Sequence, residues 1–110
     1  MNNTANTQAE FISTPVETSG MWLIQYIDGI SIEDIADAFP QGVMQGYRDE
    51  ERGYEGLEVG FRHPATGAKF YAYSRWGQVR IGGYIDNLTD PRIEGLTSLI
   101  LQVVAGGRAN

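Results

Sequence analysis

His63 is the only imidazole in the chain, and it stands directly before Pro64. Catalysis on a histidine base needs a nucleophile within reach and an acid to orient the ring. Ser74 and Asp86 are of the right types, but no spacing sets either beside His63. His63 therefore reads as a turn residue. The chain contains no Cys, which removes disulfides, thiolate metal sites and cysteine nucleophiles together.

The carboxylates fall into three sets. Glu33, Asp34 and Asp37 share one short segment, Asp49, Glu50, Glu51 and Glu55 share another, and Asp86 and Asp90 flank Asn87. Paired carboxylates can move protons or hold Mg²⁺ or Ca²⁺. The first set is more simply a solvated helix face that complements the helix dipole. The third has oxygen ligands without the full calcium-loop spacing. No metal and no cofactor is expected. The 14 glycines form no phosphate-binding loop.

A different constellation stands out between Leu57 and Ile85. Leu57, Val59 and Phe61 alternate with Glu58, Gly60 and Arg62. Phe70 and Ala72 alternate with Lys69, Tyr71, Tyr73 and Arg75. Val79, Ile81 and Ile85 alternate with Gln78, Arg80 and Tyr84. His63-Pro64-Ala65-Thr66-Gly67 and Trp76-Gly77 supply the turns. Period-two alternation over three such runs predicts an antiparallel meander, 57–85, with one buried face. Its other face then carries Arg62, Tyr71, Tyr73, Arg75, Arg80 and Tyr84, with Lys69 beside them. Tyr and Arg are the residues that concentrate binding energy at interfaces, through large ring area and fixed guanidinium geometry. They can also stack bases and neutralise phosphates, although no RNA-binding sheet motif is present.

The elements that hold this face follow from pattern. Residues 1–8 read as a mobile arm. Glu10–Val16 reads as a short edge strand limited by Pro15. Met21–Asp28 reads as a strand with Trp22, Ile24 and Tyr26 on one face, a helix being the competing assignment. Ser31 opens a helix over about 31–39: Ser-Ile-Glu-Asp is a capping sequence, Ile32, Ile35, Ala36 and Phe39 make one face, and Pro40 ends it. Val43–Tyr47 is a candidate strand, and Arg48–Gly56 reads as a solvated acidic loop able to fold over the basic sheet. Asp90-Pro91 starts a final helix, about 91–105, whose stripe is Ile93, Leu96, Leu99, Ile100, Val103 and Val104. Gly106-Gly107 should stop it and 108–110 should fray.

These elements amount to one α+β domain over 9–107: an antiparallel sheet of four to six strands with two helices on one face. The 110 residues carry a net charge of −6, which disfavours nucleic acid and anionic lipid. The charge is uneven: Leu57–Tyr84 sums to +3 and the remainder to −9. The longest apolar runs are far too short for a bilayer, and the polar first ten residues do not resemble a signal peptide. A cytoplasmic, non-catalytic domain that binds another protein is the reading these features favour, as an inhibitor, an immunity-type protein or an adaptor or chaperone. A homodimer is a further arrangement for the same surface. The alternative function is a small-ligand or nucleotide site on the Tyr/Arg face, and the alternative surface is the acidic set Glu33, Asp34 and Asp37.

Overall fold

A computed structural model describes residues 11–84 and 92–109. The expected 1–8 arm, Asp86 and the Asp90-Pro91 cap lie outside them. The chain forms β1 (Ile12–Ser13), β2 (Trp22–Ile27), α1 (Ile32–Ala38), β3 (Val43–Asp49), β4 (Tyr54–His63), β5 (Ala68–Arg75), β6 (Gln78–Gly83) and α2 (Arg92–Ala109), with 3₁₀ turns at Pro40–Gly42 and Glu50–Arg52. All six strands join one antiparallel sheet in the order β1-β4-β5-β6-β2. β3 pairs with the first half of β4, on the edge that β1 uses at its far end. The fold is α+β.

Side-chain alternation divides the sheet into two unlike faces. Val59, Phe61, Phe70, Ala72, Val79 and Ile81 are all buried on one of them. They form a single core with Ile32 and Ile35 of α1 and Ile93, Leu96, Leu99, Ile100 and Val104 of α2. Ser31 caps α1 reciprocally: its hydroxyl accepts the Asp34 N–H, and the Asp34 carboxylate accepts the Ser31 N–H. Gln25 of β2 donates to the Thr97 hydroxyl on α2 at 2.7 Å, tying that helix to the sheet edge.

Three elements differ from expectation. The acidic stretch is a hairpin rather than a loop. β3 runs to Asp49, and β4 begins at Tyr54, three residues before the expected start at Leu57. The Asp49 carboxylate makes the turn tight by accepting the Glu51 and Arg52 N–H groups. Its acids pair locally, Asp49 with Arg52 and Glu50 with Arg48, instead of folding over the basic face. α2 continues through Gly106-Gly107 to Ala109, since glycine weakens a helix without the blocking effect of proline. A register shift between Leu23 and Gln25 splits the face expected for β2. Ile24 packs against the core, while Tyr26 sits opposite Arg80 on the other face.

β1 and β2 lie on opposite edges, so the chain between them must cross the sheet. Four strand spacings come to about 19 Å, within the roughly 26 Å that eight residues span at full extension. The crossing uses the face away from the helices. Thr14 and Val16 lie directly over Gly60, where any Cβ would collide with the Thr14 carbonyl. The Val16 N–H approaches Met44 Sδ at 3.2 Å, and the Tyr84 hydroxyl donates to the Glu17 carbonyl at 3.2 Å.

Two stability outcomes follow. Phe70→Ala is expected to cost about 3–5 kcal/mol in urea melts, because the ring is fully buried against a close-packed core. Gly60→Ala is expected to cost about 1–3 kcal/mol despite removing nothing, because the crossing segment must lift. A neutral Gly60→Ala would contradict the path of that segment.

Candidate functional site

The face away from the helices carries a row of tyrosines. Pairing of β4 with β5 sets Tyr73 opposite Glu58 and Tyr71 opposite Gly60, and pairing of β5 with β6 sets Tyr73 opposite Arg80. Tyr71 and Tyr73 stack at 4.8 Å between ring centroids, Tyr73 and Tyr54 at 6.4 Å, and Tyr54 meets Tyr47 edge-on at 5.1 Å. Arg75 lies over the Tyr54 ring at 4.7 Å and Arg80 over Tyr26 at 4.9 Å. Such contacts hold both rings and guanidiniums in place, which lowers the entropy lost when a partner binds.

The sequence-derived residues divide by position. Tyr71, Tyr73, Arg75 and Arg80 are brought together. Tyr73 is only 8% exposed, so it supports the row more than it meets solvent. Arg62 sits opposite Lys69 at the far end of β4, beside β1. Tyr84 is engaged with the crossing segment. On α1, Glu33 and Asp37 are exposed, but Asp34 belongs to the helix cap. His63 is buried, with Nδ1 2.8 Å from the Thr66 hydroxyl and its ring edge-on to Phe11. Ser74 lies elsewhere on β5 and donates to Glu55, so His63 and Ser74 do not meet. Among the described residues, no group of three or more acids and imidazoles could hold a metal ion, and no helix is long and apolar enough to cross a membrane.

Pattern reading missed the exposed members, Tyr26 and Tyr47. Simple alternation puts Tyr26 on one face with Ile24, from which the β2 irregularity separates it. Tyr47 precedes the stretch Arg48–Gly56 that reads as loop, and Tyr54 lies inside it. The cross-strand signal existed only once β3 and β4 were paired.

Glu58 is a carboxyl 7% exposed beneath this row. Its head group fills the space above Gly46, where a Cβ would collide with it. Burial pushes its pKa above the ordinary range, and the Tyr47 backbone N–H pulls it partly back. Burial also raises the Tyr71 and Tyr73 phenols, so both remain hydroxyl donors in alkaline solution. The half-buried Asp49 behaves oppositely: Arg52 first, then Tyr47, hold its carboxyl below the usual range. No family model, curated protein or solved structure matches this chain.

A carboxyl that binds its proton more tightly folded than unfolded contributes stability that is complete below its unfolded pKa. That contribution is lost as pH rises through the folded value. Glu58→Gln keeps an acceptor for Tyr47 without the charge. It is expected to raise the urea midpoint at about pH 7 and change it little at about pH 4. Equal effects at both pH values would contradict the burial argument.

Proposed function

We propose that the chain binds another protein through the tyrosine–arginine face of its sheet, and that the partner presents an acidic surface. The observation carrying this reading is the pair of exposed rings, Tyr26 and Tyr47, at 47% and 56% exposure, flanking an internally stacked row. Aromatic area of this kind, held in place before binding, is what interface hot spots use. Charge complementarity supports an acidic partner. Arg62, Lys69, Arg75 and Arg80 share this face, and Glu58 beneath them is buried. Arg80 Nε is buried with no hydrogen-bond partner among the described residues, while its Nη2 donates to the Gln78 side chain at 3.4 Å.

The nucleotide alternative is less well supported by the same geometry. Base stacking needs free ring faces. Here Tyr71 and Tyr73 cover one another, Arg75 covers Tyr54 and Arg80 covers Tyr26. Inhibition, immunity and escort of a partner are all roles that a binder of this kind can serve.

The test is a comparative pull-down and titration with Tyr26→Ala/Tyr47→Ala. Both side chains are outside the core, so the fold should persist, while binding should weaken by at least about 2 kcal/mol. Glu33→Gln/Asp37→Asn is the matched change on the acidic helix surface, with the Asp34 cap left intact. Loss of binding in that variant, with the tyrosine variant unaffected, would transfer the assignment to α1.

A further inference from the structure

A cleft opens beside the turn that joins β5 and β6. β5 and β6 are joined by the two-residue turn Trp76-Gly77, with Arg75 opposite Gln78. Trp76 adopts φ +54° and Gly77 φ +75°. A turn of this form normally takes Asn, Asp or Gly first, and a bulky residue at positive φ is strained. Nothing in the core explains a tryptophan there, because its side chain is 65% exposed.

Its placement is nonetheless well defined. The Trp76 backbone N–H donates to the Gly53 carbonyl at 2.9 Å, and the indole lies directly over Gly53. Gly53 has φ +80°, and a Cβ there would collide with the indole. One indole face is thus covered by backbone. Beside the ring opens a cleft of about 430 Å³, lined by Arg48, Glu50, Tyr54 and Glu55 as well as by Trp76 and Gly53. This is within the size range of small-molecule sites.

The charges in the cleft define its chemistry. Arg48 is paired with Glu50 at 2.9 Å. Glu55 accepts the Ser74 hydroxyl through one carboxylate oxygen, Oε2. An indole face attracts cations more strongly than any other aromatic side chain. Two carboxylates against one guanidinium leave the cleft with net negative charge, on a chain of net charge −6.

We infer that the Trp76 cleft binds an organic cation, an alkylammonium or guanidinium group seated on the indole and neutralised by Glu50 and Glu55. A lysine or arginine side chain and a free quaternary amine share this chemistry. The cleft borders the tyrosine row at Tyr54, but the inference does not depend on that face binding a protein.

The experiment follows the indole N–H resonances of the intact chain by NMR, with Trp22→Phe assigning the Trp76 signal. The probes are capped tripeptides centred on lysine, arginine or norleucine, together with tetramethylammonium chloride and cellobiose. The lysine or arginine peptide, or tetramethylammonium, should shift Trp76 saturably while norleucine does not. A response to the peptides alone assigns the cation to a polypeptide, and a stronger response to tetramethylammonium assigns it to a small amine. Glu50→Gln/Glu55→Gln retains the Ser74 hydrogen bond and should weaken the cation by about three- to tenfold, with an unchanged melting curve. The inference is overturned if norleucine binds equally, if cellobiose alone shifts Trp76, if the double variant binds as tightly, or if no cation shifts Trp76.

Discussion

β1 and β2, the first two strands of the described chain, sit on opposite edges of the sheet. That placement forces residues 14–21 across one face, and the rest of the architecture adjusts to it. The helices occupy the other face, where Val59, Phe61, Phe70 and Ile81 can be buried without polar interruption. The crossed face cannot carry a second helical layer. It is closed instead by side chains lying flat on one another, with Gly60 leaving room for the backbone above. The tyrosine row follows from this division, since rings that stack along the sheet cover it without needing another element.

The two faces are therefore held by different physics. On the helix side, large aliphatic and aromatic groups leave water entirely, and each contributes about 1.5–3 kcal/mol. On the tyrosine side, rings stay partly wet and are oriented by stacking and by arginine, contacts worth roughly 0.5–1.5 kcal/mol each. The first set determines whether the chain folds. The second determines what shape and charge the folded chain presents. Surface ion pairs such as Arg48–Glu50 add little to either, because both groups are largely solvated.

Most of the layer structure was legible in the residue pattern. The alternation Val59/Phe61, Phe70/Ala72 and Val79/Ile81 identified the buried face, and Ser31 through Asp34 identified the helix start. Legibility failed where local composition and tertiary pairing disagreed. Asp49 to Gly53 is polar enough to read as loop, yet a short turn closed by the Asp49 carboxylate makes it the tip of a hairpin. The candidate site was half visible for the same reason. Tyr71, Tyr73, Arg75 and Arg80 lie on strands with plain alternation. Tyr26 follows a register irregularity and Tyr47 precedes the misread turn. The role of Trp76 was hidden because its neighbour in space, Gly53, is remote in sequence.

The crossing segment also bears on how the chain reaches this structure. β3, β4 and β5 each pair with the next strand through short turns. Those hairpins close small loops and can form quickly. β2 must instead find β6, with Leu23 meeting Gly82, and β1 must find the far end of β4. These closures carry a larger entropic cost and become favourable only when a sheet edge already exists to receive them. The first two strands of the described chain are thus the last to gain from docking. Until they do, the edges that receive them stand open, and Gly60 lies without the segment that finally crosses above it.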